Sequence, residues 1–218
     1  MHPLHPIGCP DWEYKNHPNY VPGDILSRVI GIVHDLRRGR TDSSHLASDT
    51  RPTHTRMFHD LSPQGHEYYV GHYRGENFRC LQYYTVGIMG DPSVGLDPTL
   101  VTGRMGQFER LVRGGLAALD QASQLPRVQV SGQQKLLCAL AFACRVFELF
   151  LRIHPYANGN GHMARFIVWA ILGRYGYWPY RWPIEPRPSD PPYTDLIKRY
   201  RAGIHAPLEI YILHCIQR

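Results

Sequence analysis

Apolar positions recur along this chain mainly at helical spacing, and two long runs of them dominate the pattern. The first run covers residues 133–153 and the second residues 166–172, and neither has a glycine or proline in its interior. Apolar side chains lie nearly all the way round both helical projections, and the first run is too long for a strand. The pattern therefore predicts two buried helices, the second of them spanning residues 162–175.

Shorter segments each show one apolar face with polar residues opposite, which predicts amphipathic helices packed around this central pair. Asp24 is predicted to cap the first of them, and Pro207 to open the last. A single helical turn is predicted near residues 57–61. The predicted amphipathic helices are residues 24–38, 104–125, 193–200 and 207–215.

Strand-like and irregular segments fill the rest of the chain. Alternation of side-chain type around Tyr84 and Val86 predicts two strands, at residues 67–74 and 83–88, that pair as a hairpin. Turn-forming residues predict irregular chain in four other places. These segments are residues 1–22, 39–56, 90–102 and 176–192.

The predicted fold is therefore all-α, a helical domain with one small β-hairpin. We expect residues 1–52 to form an N-terminal arm and helix, and residues 53–218 to form the main domain. A chain of 218 residues is long enough to bury a sizeable core, so both parts are expected in one compact unit.

Charge and cysteine content narrow the classes of function. The formal net charge of +6 suits a polyanionic ligand such as a nucleotide. No run of consecutive Lys and Arg marks a nucleic-acid surface, since the densest cluster is residues 37–40, so nucleic acid is not an expected partner. The five cysteines include no C-x-x-C motif, and Cys138 and Cys144 are predicted to lie in the core, which indicates a reducing compartment.

Neither a leader peptide nor a membrane span is expected from the sequence. The first ten residues lack a basic segment followed by an apolar core, and charged residues break every apolar run that approaches membrane length. A cytoplasmic protein with no membrane partner is therefore expected, and delivery as a secreted effector stays open as an alternative.

The short loop between the two buried helices carries the candidate chemistry. Residues 154–165 read HPYANGNGHMAR, and Pro155 with the two glycines excludes a continuous helix. Residues 159–161 open the second helix, where free N–H groups and the helix dipole favour an anion. Arg165 lies one turn later and can add a forked cation, while His154 can act as a base near neutral pH.

This string resembles the signature of the Fic domain, which reads His-Pro-Phe, any residue, Asp or Glu, Gly-Asn-Gly-Arg, two residues, Arg. It departs from that signature at Asn158, where the acid usually stands, and at His162, where the first Arg usually stands. The similarity extends over roughly residues 53–214. The positions that match the signature are His154, Pro155, the aromatic Tyr156, Gly159, Asn160, Gly161 and Arg165.

The resemblance implies transfer of the AMP part of ATP, or of another nucleoside triphosphate, to a Ser, Thr or Tyr hydroxyl of a target protein. It implies that His154 is the catalytic base and that residue 158 holds Mg²⁺, which Asn158 would hold weakly because its side chain is uncharged. The implied nucleotide and phosphate ligands are Asn158, Gly159, Asn160, Gly161, His162 and Arg165. The implied target-binding residues of a β-hairpin flap are Tyr73, Arg74, Tyr83, Tyr84 and Thr85.

Two other functions stay open at this point. The departures at Asn158 and His162 fit a non-catalytic module that binds a nucleotide or a protein through a degenerate site. A kinase-like variant resembling the Doc relatives would transfer the terminal phosphate instead. Many Fic proteins carry an inhibitory Ser/Thr-x-x-x-Glu-Gly/Asn motif, which we do not find, so control by a regulatory partner protein is a further possibility.

Overall fold

The computed structural model of the chain describes residues 8–87 and 91–216. Over these residues the fold is all-α, as predicted, with eight α-helices and single 3-10 turns at Tyr14–Asn16, Glu67–Tyr69 and Leu81–Tyr83. The helices are α1 (Asp24–Arg37), α2 (Ser43–Ser48), α3 (Arg51–Phe58), α4 (Pro98–Gln124), α5 (Gly132–Ile153), α6 (Asn160–Arg174), α7 (Tyr193–Arg201) and α8 (Ala206–Cys215).

The central helices α5 and α6 form the core pair that the apolar runs predict. α5 begins with a capping box, in which the side chains of Ser131 and Gln134 each accept a hydrogen bond from the other's backbone N–H. α6 is buried on nearly every side. α4 packs closely on α5 because it offers Gly115 there, where a Cβ would lie 2.2 Å from the Phe142 ring.

The amphipathic helices are confirmed, with small changes at their starts. Gly23 caps α1 in a left-handed conformation, so Asp24 is the first helical residue and not the cap. α4 starts at Pro98, inside the predicted loop of residues 90–102, because Asp97 caps it with a hydrogen bond. Within the described ranges, no helix is both long enough and apolar enough to cross a membrane.

Two short helices, α2 and α3, replace the predicted loop at residues 39–56. Asp42 caps α2 with a hydrogen bond, and Pro52 stands in the first turn of α3, where its missing N–H is not needed. The polar residues Thr53 and His54 of α3 are buried. The loop prediction was wrong because it equated polarity with exposure to solvent.

The predicted β-hairpin is wrong for the part that the structure describes. Residues 67–69 form a 3-10 turn, residues 84–87 have no paired strand, and Ile88 lies outside the described residues. Arg74 gives the physical reason, because its fully buried guanidinium donates to four backbone carbonyl groups and fixes this region without a strand ladder. The carbonyl groups belong to Tyr84, Leu96, Ile153 and His154.

A disulfide joins Cys9 to Cys80 and secures the N-terminal arm to the domain. This pairing counts against the reducing compartment that the cysteine pattern predicts, since disulfides are typical of oxidising surroundings. Cys144 is buried as predicted, whereas Cys138 is exposed.

The N-terminal arm belongs to the same hydrophobic core as the helices. Trp12 and Tyr14 are each 4% exposed, and the Trp12 Nε1 donates to the carbonyl oxygen of Leu61 at 2.7 Å. Residues on both sides of position 52 contribute to this one core.

Candidate functional site

A cleft of about 1910 Å³, here called the central cleft, opens where α5 ends and α6 begins. It is lined by the joining loop and the first turn of α6, by residues 11–15 of the arm and by residues 84–87. The Pro-rich segment and α7 complete the lining. The structure therefore brings His154 and all six predicted phosphate-binding residues to one cleft. Those six are Asn158, Gly159, Asn160, Gly161, His162 and Arg165.

His154 ends α5 as its C-cap, in a left-handed conformation with φ of 53°. Its Nδ1 lies 3.2 Å from the carbonyl oxygen of Leu151, which can only accept, so Nδ1 carries the proton and Nε2 is the basic atom. Burial, together with the cations Arg74 and Arg201, lowers the pKa of His154 to about 4. The imidazole is therefore neutral at pH 7 and able to take a proton.

The first turn of α6 supplies free backbone N–H groups to the same cleft. Gly159 caps the helix with φ of 79°, and a Cβ there would lie 2.5 Å from the Phe58 ring, so the position requires glycine. The N–H groups of residues 160–162 donate no hydrogen bond to any part of the chain that the structure describes. Three such donors at the positive end of a helix dipole can hold an anion.

The side chain of Asn160 shapes the loop. Its Oδ1 accepts the N–H of Tyr156 and its Nδ2 donates to the Tyr156 carbonyl oxygen, both at 2.8 Å. Both bonds hold the amide inside the loop, and the backbone N–H of Asn160 is left free for a ligand.

Arg165 and His162 extend the site along α6. Arg165 is 3% exposed and its Nε donates to the Ile184 carbonyl oxygen, and no carboxylate among the described residues forms an ion pair with it. His162 is held 2.7 Å from the Glu185 carboxylate. Burial lowers the pKa of His162 and the hydrogen bond lowers the pKa of Glu185, so a neutral imidazole donates to an ionised carboxylate. His162 therefore offers a phosphate its backbone N–H and not its Nε2.

Asn158 does not fit the magnesium site that the resemblance implies. Its Nδ2 donates to the carbonyl oxygen of Trp12 at 2.7 Å, and its Oδ1 accepts the N–H of Gly159. Nowhere in the described ranges do three His, Cys, Asp or Glu side chains come together as a metal site. The amide is arranged to hold the N-terminal arm against the loop.

Replacing Asn158 by aspartate is expected to destabilise the protein, because a carboxylate would face the Trp12 carbonyl oxygen without a proton to donate. The lost hydrogen bond and the unpaired acceptor should lower the free energy of unfolding by about 1–3 kcal/mol. Urea unfolding at pH 7 measures this, with Asn16→Asp, an exposed position on the same arm, as the matched control. Equal stabilities of the two variants would show that the Asn158 amide does not hold the N-terminal arm in place.

The predicted target-binding residues divide between interior and surface. Tyr73 and Arg74 are buried, so contrary to the prediction their side chains cannot contact a target. Tyr84 is also buried, and its hydroxyl accepts the N–H of Trp12. Tyr83 is 52% exposed and Thr85 lines the central cleft, so these two are available to a target.

Sequence reasoning missed the part that the arm plays at the site. Tyr14 packs edge-on against the His162 ring, with ring centroids 5.8 Å apart. Lys15 lies close enough to His162 and Glu185 to lower the pKa of each. The signal available in the sequence was the pair of large aromatic residues, Trp12 and Tyr14, within an otherwise polar segment.

No protein-family model matches this chain, and no curated protein matches it.

Proposed function

We propose that this protein transfers a nucleoside monophosphate, AMP from ATP in the first instance, to a Ser, Thr or Tyr hydroxyl of a target protein. One observation carries the proposal: the central cleft holds a neutral His154 with a basic Nε2 together with the three free N–H donors of residues 160–162. A base beside an anion site is what hydroxyl attack on phosphorus requires. The resemblance to the Fic domain supports the same reaction.

In the proposed reaction the target hydroxyl attacks the α-phosphorus of the nucleotide. The Nε2 of His154 takes the hydroxyl proton as the new O–P bond forms, and pyrophosphate leaves as the bond to the bridging oxygen breaks. Negative charge that grows on the α-phosphate oxygens is stabilised by the N–H groups of residues 160–162.

Three cations of the central cleft can neutralise the other phosphates. Arg165 lies one turn into α6, Lys15 is on the arm, and Lys198 is on α7. None of these three forms an ion pair with another described residue, whereas Arg187 and Arg201 of the same cleft are paired with carboxylates. The chain therefore has its own positive charge to offer a polyphosphate.

Residues 85–87 offer a place for the target segment. They line the cleft, and within the described chain none of their backbone groups forms a hydrogen bond. An extended peptide can satisfy these groups through its own backbone, which makes few demands on the target sequence.

Label transfer tests the proposal. The protein is incubated with a lysate, magnesium and each of the four nucleoside triphosphates, labelled on the α-phosphate in one series and on the γ-phosphate in another. We expect protein-bound label from one α-labelled nucleotide. Protein-bound label from the γ-labelled nucleotides alone would overturn the proposal and indicate transfer of the terminal phosphate.

A non-catalytic binding module is the second candidate, because two observations favour it. The side chains of Asn158 and His162, where the signature has an acid and an arginine, are both used inside the protein, on Trp12 and Glu185. Nucleotide binding measured by calorimetry without label transfer in either series would support this candidate.

A further inference from the structure

His54 of α3 lies beneath the loop of residues 154–159 that joins α5 to α6, here called the phosphate-binding loop. The two segments are distant in sequence. Its Nδ1 accepts the N–H of Gly71 at 3.0 Å, and its Nε2 donates to the carbonyl oxygen of Asn158 at 3.1 Å. An N–H can only donate and a carbonyl can only accept, so both roles are fixed and the ring is a single neutral tautomer. Its side chain is completely buried.

Packing leaves the His54 ring little freedom to move. It stacks on the Tyr156 ring with centroids 3.9 Å apart and an angle of 13° between planes. The rings of Trp12 and Phe58 lie at 5.8 and 4.9 Å. Burial lowers the pKa of His54 to about 3, so the neutral form and both hydrogen bonds persist through the physiological pH range.

The hydrogen bond to Asn158 acts on the residue that precedes the anion site. A Cβ on Gly159 would lie 3.1 Å from the His54 Nε2, so the ring is in contact range of the helix cap itself. The peptide between Asn158 and Gly159 leads directly into the cap of α6. A donor on its carbonyl oxygen therefore restrains the start of the helix, from which the free N–H groups of residues 160–162 project.

We propose that His54 is a positioning residue for the phosphate-binding loop, acting through its Nε2–H bond to the Asn158 carbonyl oxygen. The inference rests on the proposed function, because the loop is taken to bind the nucleotide phosphates. His54 itself does not touch the substrate.

A histidine that only fills the core would contribute to stability through its volume and stacking. Loss of either ring nitrogen would then have the same effect on the loop. A positioning residue differs, since the nitrogen facing Asn158 should control the loop and the nitrogen facing Gly71 should not. Two amide variants separate these roles. In His54→Asn the side-chain oxygen can replace Nδ1, and in His54→Gln the side-chain nitrogen can replace Nε2.

The experiment measures both variants beside the wild type in three ways: thermal unfolding, calorimetric affinity for a non-hydrolysable ATP analogue, and amide hydrogen exchange at Tyr156 and Met163. We expect both variants to lose thermal stability. His54→Asn, which lacks the donor, should bind the analogue about tenfold more weakly and exchange its loop amides faster, since one buried hydrogen bond is lost. His54→Gln should stay close to the wild type in affinity and in loop exchange.

Equal loop exchange in the two variants would overturn the positioning role and leave His54 as a core residue. If the wild type binds no nucleotide, the proposed function fails by itself, and the exchange comparison still decides whether His54 orders the loop. Weaker binding in both variants, in proportion to their lost stability, would also count against positioning.

Discussion

Replacing His154 by alanine is expected to reduce label transfer by about 10²- to 10⁴-fold while the protein stays folded, because the only proposed base is removed. The residue occupies a left-handed backbone position, which alanine tolerates less well than asparagine. His154→Asn is therefore measured as a second variant that keeps the backbone conformation but lacks the imidazole. His214→Ala, at an exposed position on α8, is the matched control and should be as active as the wild type.

The pH dependence of kcat/KM tests independently whether His154 is the proton acceptor. Because the pKa of His154 is lowered to about 4, the neutral base is the main form at every pH above that value. The acidic limb of kcat/KM, which reports the free enzyme, should therefore lie near pH 4, with no loss between pH 5.5 and 7. A limb near the ordinary histidine value of about 6.5 would show that the proton acceptor is a different or more exposed group. Loss of folding in both His154 variants would instead assign the residue a structural role.

Loss of the Cys9–Cys80 disulfide is expected to lower the free energy of unfolding by about 4 kcal/mol, because the bridge closes a loop spanning 71 residues and restricts the unfolded chain. Urea unfolding of Cys80→Ser measures the effect. The same loss should appear when the wild type is treated with a reductant, and the variant should not respond to that treatment.

Cys138→Ser is the matched control for this measurement, since Cys138 is an exposed free thiol on α5. It should retain the wild-type stability and the wild-type response to reductant. If reductant leaves the wild type unchanged, the two cysteines are not paired in solution. The cysteine pattern would then again be compatible with a reducing compartment.

Elements are predicted best from the sequence where a run of similar side chains, or a glycine or proline, determines the local structure by itself. The central helices α5 and α6 follow from the long apolar runs of the sequence. The break between them follows from the glycines and the proline that end one helix and start the next. Both predictions depend on neighbouring residues only. They succeed because the apolar side chains that form these helices are also the ones that pack in the core.

Prediction failed where polar residues are buried by distant partners. α3 looks like a loop because its Thr and His residues give no apolar face. Yet His54 is completely buried, with contacts from the arm and from the loop that joins α5 to α6. The hairpin prediction failed because the buried Arg74 binds the Tyr84 carbonyl group, which a strand ladder would have used. Such pairings depend on tertiary geometry, which side-chain periodicity does not contain.

The bond between Asn158 and Trp12 joins residues 146 positions apart, and this has a consequence for synthesis of the protein. Synthesis runs from the N-terminus, so the arm leaves the ribosome before the loop that receives it has been made. During that interval Trp12 and Tyr14 have no completed site to enter. The lining of the central cleft is therefore completed only after residues 154–162 have been synthesised and the arm has packed against them.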